Sequence, residues 1–164
     1  MKGGDMFKVG DKVVYPSHGV GIVEDIQNRE MSGTRESFYI LNMCEQSMTI
    51  MVPTANREKV GLREVIGKSD VTKVLKVLKQ RGPKTTEAWS RRSKQYMETI
   101  KTGDVFEIAK IFRDLARLRH RKTLSFGEKQ VFDNVRDLIA EEISQVRGTS
   151  KDSIVTLLDS LVDR

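Results

Sequence analysis

The chain has 164 residues, 38% hydrophobic and 32% charged, with 12 glycines and 3 prolines, a composition that excludes a disordered tail and allows one large domain or two small ones. No run of about 18 apolar residues occurs, so no membrane-spanning helix is expected, and a single cysteine, Cys44, rules out an internal disulfide. The net charge of +6 is local: residues 1–66 carry 8 Lys/Arg against 9 Asp/Glu, residues 67–94 carry 9 against 2, and residues 95–164 carry 12 against 12. A basic stripe of this kind is the usual footprint of phosphate binding, although a solvated, lysine-bearing helix face has the same composition. The N-terminal stretch Met1 to Phe7 lacks the apolar run of a secretory signal, which predicts an intracellular protein.

The first third reads as β. Lys12 to Pro16 is a short strand ended by proline; Gly19-Val20-Gly21 is expected to break the chain as a turn or bulge; Ile22 to Ile26 is the next strand. A turn at Met31-Ser32-Gly33-Thr34 leads into Ser37 to Met43, and a polar break at Cys44 to Ser47 leads into Met48 to Pro53. Short strands at this spacing predict a small antiparallel barrel over residues 1–66. In the last strand Met48, Ile50 and Val52 share one face and Thr49, Met51 and Pro53 the other. The strand before it is apolar on both faces, with Phe38 and Ile40 against Tyr39, Leu41 and Met43. One face fills the barrel and the other needs a second cover, from within the chain or from a partner protein.

From about residue 69 the period becomes helical, defining a compact all-α domain over 67–164 whose segment 67–85 holds a basic first helix and a connecting loop. Ser69 or Asp70 is expected to cap a helix carrying Val71, Val74, Leu75 and Leu78, ended by Arg81-Gly82-Pro83-Lys84. Thr85 or Thr86 is expected to open a second helix that runs to about Lys101 and stops at Gly103. Asp104 caps a third with Val105, Ile108, Ala109, Phe112, Leu115 and Ala116. Ser125 and Glu128 have capping-box spacing and open a fourth through Phe132, Val135 and Ile139. A last short helix carries Ile154, Leu157, Leu158 and Leu161.

Signals for catalysis are weak. Gly67-Lys68-Ser69 resembles the end of a phosphate-binding loop, but Gly61 stands one residue too far upstream for its backbone cradle. His18, His120 and Cys44 have no zinc-site spacing, and no nucleophile motif accompanies them. No catalytic residue, metal, cofactor or small-molecule substrate is therefore expected. The richest stretch is Thr86 to Met97. Arg91, Arg92 and Lys94 suit phosphate contacts, and Trp89, the only tryptophan, can stack on a base or wedge between base steps. Periodicity places Trp89 on the side of Tyr96 and Ile100 and by itself favours a core position.

Several of these stretches also occur together in a known family. Phe7-Lys8-Val9-Gly10-Asp11-Lys12-Val13-Val14-Tyr15-Pro16 with His18-Gly19-Val20-Gly21 resembles the opening of the CarD/CdnL family of bacterial transcription factors. So do Val60-Gly61-Leu62-Arg63, Trp89-Ser90-Arg91-Arg92, Lys101-Thr102-Gly103-Asp104-Val105 and Leu124-Ser125-Phe126-Gly127-Glu128-Lys129, in the family's order and nearly end to end. The resemblance implies a Tudor-like (SH3-like) N-terminal barrel that binds the β subunit of RNA polymerase, followed by a helical domain that contacts promoter DNA at the upstream edge of the −10 element. It further implies stabilisation of the open complex formed with the primary sigma factor, notably at ribosomal RNA promoters, by a monomeric factor of the bacterial cytoplasm and nucleoid. On this resemblance Trp89 matches a minor-groove wedge, Arg91, Arg92 and Lys94 its basic companions, and Met97 and Phe126 apolar members of the same patch. Arg29, Ile40, Met51 and Pro53 fall at polymerase-contacting positions, with arginine in place of Met51 in some relatives. Two other readings share parts of the pattern: a relative of the transcription-repair coupling factor, whose barrel is similar but whose motor motifs are missing here, and an architectural DNA binder with no polymerase partner.

Overall fold

The computed structural model describes residues 7–84 and 87–163, which divide after Val65 into two compact units. The first is a five-stranded antiparallel sheet, Tudor-like in arrangement, built from β1 (Lys12–Tyr15), β2 (Gly19–Met31), β3 (Thr34–Met43), β4 (Thr49–Pro53) and β5 (Arg63–Glu64) in the order β4-β3-β2-β1-β5. A one-turn helix, α1 (Arg57–Val60), precedes β5. Phe7, Val13, Val23, Tyr39, Leu41, Met43, Val52 and Leu62 form its core. The alternation read from the sequence fixes which residues enter: Tyr39, Leu41 and Met43 point inward from β3, as does Val52 from β4. The Tyr39 hydroxyl accepts a hydrogen bond from the Phe7 amide at 3.3 Å, so the buried phenol is satisfied.

Gly19-Val20-Gly21 does not break the chain. The reversal lies earlier, at Pro16-Ser17-His18, where Ser17 adopts φ 72° and the His18 amide donates to the Tyr15 carbonyl at 2.9 Å. With the turn made there, Gly19 and Gly21 pair with Tyr15 and Val13, and the irregularity falls instead between Val23 and Asp25. The β2–β3 hairpin is also longer than expected, pairing out to Met31 and Thr34. That arm carries Gln27, Asn28, Arg29 and Glu36 in place of an apolar signal.

The second unit comprises α2 (Lys68–Lys79), α3 (Trp89–Thr102), α4 (Val105–Arg119), α5 (Phe126–Arg147) and α6 (Lys151–Val162). Val71, Val74 and Leu78 of α2, Ile100 of α3, and the α4 stripe from Val105 to Leu118 join Phe132, Val135, Ile139, Ile143, Ile154 and Leu158 in one core. Three helix starts show how caps compete. Asp104 accepts from the amides of Phe106 and Glu107, at 3.0 and 3.4 Å, as its position predicts. The helix expected to be capped by Ser69 or Asp70 begins earlier, after Gly67. There Asp70 sits inside the first turn and accepts the Gly67 amide at 3.3 Å, and Ser69 lies within the helix, not at its cap. Helix α3 begins at Trp89, after an Ala88 that makes no side-chain cap; Thr85 and Thr86, expected to open it, lie outside the described residues.

Candidate nucleic-acid interface

Trp89 occupies the first position of α3 and is half-buried. Two turns on, Tyr96 packs against the core, and Ile100 beyond it is fully inside. The apolar stripe that periodicity detects is real, but Trp89 lies where it runs out of the core. Its indole rests on Gly127, in the first turn of α5: a Cβ added there would stand 2.9 Å from the indole Nε1 and 3.2 Å from Cε2 and Cζ2. The Tyr96 ring lies 6.0 Å away, centroid to centroid. The Arg92 guanidinium lies over the indole at 5.2 Å, within cation–π range.

Arg92 was expected to face phosphates, and its side chain turns inward instead. Only 7% of the residue is exposed. Its Nη2 pairs with Glu128 Oε2 at 2.9 Å, its Nε donates to the Glu87 carbonyl at 3.1 Å, and its Nη1 is buried without a hydrogen-bond partner. Glu128 is itself 1% exposed. Its Oε1 accepts from Lys122 Nζ at 2.8 Å and from the Ser125 amide at 2.9 Å, and its own amide returns to Ser125 Oγ at 3.2 Å. Burial alone would raise the Glu128 pKa. The hydrogen bonds from Arg92, Lys122 and Ser125 outweigh it and bring the value down to about 2. On Arg92 desolvation pulls downward, and the Glu128 carboxylate, with the neighbouring Tyr96 phenol, overcomes it, leaving its pKa raised. The result is a brace, charged at neutral pH and stacked against the indole, that ties the start of α3 to the start of α5.

Around this brace the surface is apolar and basic together. Phe126 is 79% exposed and Met97 48%, and Arg91 and Lys94 project into solvent. Large exposed apolar side chains beside a half-exposed tryptophan mark a contact surface. Gly127, Glu128, Ser125 and Lys122 belong to it structurally, yet the sequence offered only the capping box as a sign of them.

In the first unit Met51 is 41% exposed on β4 and Pro53, two residues on, is half-buried on the same face. β4 is an edge strand, paired only with β3. Ile40, paired opposite Met51, lies beside it on the same face and is only 8% exposed. Arg29 is exposed on the hairpin arm, where its Nε and Nη2 donate to Gln27 Oε1 at 3.2 and 2.9 Å. It pairs across the arm with Glu36, four residues along β2 from the Asp25 that faces Ile40, about 13 Å by strand rise. The fold thus brings Met51, Pro53 and Ile40 together and leaves Arg29 apart.

Two family models match the chain in succession: "CarD-like/TRCF RID domain" over residues 7–66 and "CarD, C-terminal domain" over residues 73–159. The curated Bacillus subtilis (strain 168) protein called "Putative transcription factor YdeB" is 30% identical over 149 residues, spanning 91% of this chain and 97% of that protein. The solved structure of "CdnLNt from Myxoccoccus xanthus" is 48% identical over 39% of this chain and 90% of its own, with a TM-score of 0.34. With both family domains present in order, and a relative that aligns over nearly its whole length, the chain belongs to the CarD/CdnL family, which is of transcription-factor type.

Proposed function

We propose that this protein is a transcription regulator that binds the RNA polymerase β subunit through its N-terminal unit and promoter DNA through its helical unit, at the upstream edge of the −10 element. In this reading it stabilises the open complex formed with the primary sigma factor, notably at ribosomal RNA promoters. The observation that carries the reading is the presentation of Trp89. The indole rests on Gly127 and is backed by the buried Arg92–Glu128 pair. It is flanked by exposed Phe126, Met97, Arg91 and Lys94. A rigid aromatic beside phosphate-seeking cations suits insertion into a distorted minor groove.

Tethering through Met51, Pro53 and the β4 edge would raise the local concentration of this patch beside the promoter to roughly millimolar, so weak intrinsic DNA affinity suffices. Arg91 and Lys94 then meet phosphates without reading sequence. Trp89 supplies the difference between states, because a contact available only in opened DNA shifts the melting equilibrium, whereas equal binding to both forms shifts nothing. A base–aromatic contact is worth about 1–3 kcal/mol, so Trp89→Ala is expected to shorten the open-complex lifetime by about 5- to 150-fold. The measurement is competitor-challenged lifetime of the open complex with each purified, folded variant. A folded Trp89→Ala protein that prolongs the lifetime as well as the parent removes the wedge.

A further inference from the structure

A second cleft on the helical unit, separate from the Trp89 patch, is lined by the end of α2, the loop after it, α4, the turn that follows α4, and the end of α6. Its volume is about 550 Å³, within the range of small-molecule sites. Six cations converge on it: Lys79, Arg81, Lys84, Arg113, Arg117 and Arg121, with no carboxylate among the lining residues. Arg113 is balanced by Asp114 at 2.9 Å, and Arg117 donates to the Gly82 carbonyl. Lys79, Arg81, Lys84 and Arg121 are exposed and make no ion pair among the described residues. A neighbouring cleft of about 650 Å³ shares Arg121 with the first, and its other four cations are all paired. There Arg119 pairs with Asp163, Lys122 with Glu128, Lys129 with Asp133 and Arg136 with Asp159. Basicity is therefore general on this side, but the first cleft gathers four unpaired cations, Lys79, Arg81, Lys84 and Arg121, and the second has only the shared Arg121 unpaired among the described residues.

The fold brings these charges together against their repulsion. Gly82 is buried against α4, and a Cβ there would stand 2.1 Å from Asp114 Oδ1 and 2.7 Å from Arg113 Nη2. A side chain at this position would have to push those side-chain ends aside, and the close approach of the loop sets Arg81 and Lys84 beside the α4 arginines. The cleft also has an apolar floor of Leu78, Leu161 and Val162. Leu78 and Val162 are 3% and 8% exposed. Clustered cations call for a multiply charged anion, and the aliphatic floor calls for a ligand with an apolar, flat body beside its charge.

We propose that this cleft binds a nucleotide bearing several phosphates, with the phosphates on Arg81, Lys84 and Arg121 and the nucleoside on Leu78 and Leu161. The same chemistry has two sources, a free nucleoside polyphosphate or the phosphorylated end of a single strand. The test is calorimetric titration of the full chain with ATP, with inorganic tripolyphosphate and with a 5′-phosphorylated single-stranded octanucleotide. The parent is compared with the combined variant Arg81→Gln/Lys84→Gln/Arg121→Gln, with Trp89→Ala, and with Lys73→Gln/Lys76→Gln outside the cleft. The expected result is saturable one-to-one ATP binding, weakened about tenfold or more in the cleft variant and kept in the other two. If the oligonucleotide shows that pattern and ATP does not bind, the source is a strand end and the site stands. The proposal is overturned if neither binds, if the cleft variant binds like the parent, if Lys73→Gln/Lys76→Gln weakens binding equally, or if tripolyphosphate matches ATP and the apolar floor contributes nothing.

Discussion

Trp89 is held half out of the protein by Gly127, the Arg92 guanidinium and the Tyr96 ring. Gly127 supplies a bare backbone for the indole, so Gly127→Ala tests the support without touching the tryptophan. Alanine is favoured over glycine inside a helix by about 1 kcal/mol, which offsets part of the crowding from a Cβ placed 2.9 Å from Nε1. The variant is expected to stay folded, with a thermal midpoint close to the parent's. Because Trp89 is the only tryptophan, a displaced ring shows directly as a shifted fluorescence emission, and the open-complex lifetime falls with it. Unchanged emission and lifetime together would show that the Gly127 surface is not what positions the ring. Glu128 makes a second test at this scale. Its folded pKa of about 2 lies below the ordinary 4.5, so its stabilisation is fully present above about pH 4.5. It is lost as pH falls towards 2, amounting to about 3 kcal/mol at neutral pH. Glu128→Gln leaves Arg92 buried and unpaired, a loss of about 3–5 kcal/mol, and should flatten the acid limb between pH 4.5 and 2 in denaturant-unfolding curves. A variant that keeps the parent's acid limb would place that titration on another carboxylate.

At the level of elements, helix starts separate what local chemistry decides from what distant packing decides. The start of α4 belongs to Asp104, whose carboxylate takes two orphan amides; Asp104→Ala should cost about 1 kcal/mol in chemical denaturation of the full chain. A loss below a few tenths would mean that the Thr102 side chain and Gly103 already fix that corner. The start of α5 is likewise local, through Ser125 and Glu128. Both were legible in the sequence for that reason. The start of α3 is not local: Ala88 offers no cap, and what sets Trp89 in place comes from Gly127 and from a pair 36 residues apart, Arg92 and Glu128. No spacing rule connects such partners, which is why periodicity favoured the core for Trp89 and why Arg92 read as a phosphate ligand. Helix α1 and the two-residue β5 are too short to carry a period. The polar arm of the β2–β3 hairpin carries none that core burial would reveal. The alternating faces of β3 and β4, by contrast, were readable because one face of each fills the core.

The whole molecule consists of two units of different charge, one nearly neutral and one holding the entire positive excess. If the first unit only delivers and the second only discriminates opened from closed DNA, damage to each must appear on a different axis of the same titration. Met51 is exposed on the β4 edge and contributes nothing to the core cluster, so Met51→Asp should fold normally while placing a charge in the proposed polymerase contact. Losing a contact worth about 1.4 kcal/mol raises the concentration needed for half-maximal effect about tenfold. The plateau stays where it was, because bound protein still favours opened DNA by the same amount. Trp89→Ala acts on that preference instead, so its plateau should fall while the half-saturating concentration moves little. Titrating each variant into polymerase and promoter, and reading both concentration and plateau of open-complex lifetime, separates the two. A Met51→Asp plateau that drops as far as that of Trp89→Ala, at an unchanged midpoint, would give the first unit a part in recognising the opened state and end the division into tether and wedge.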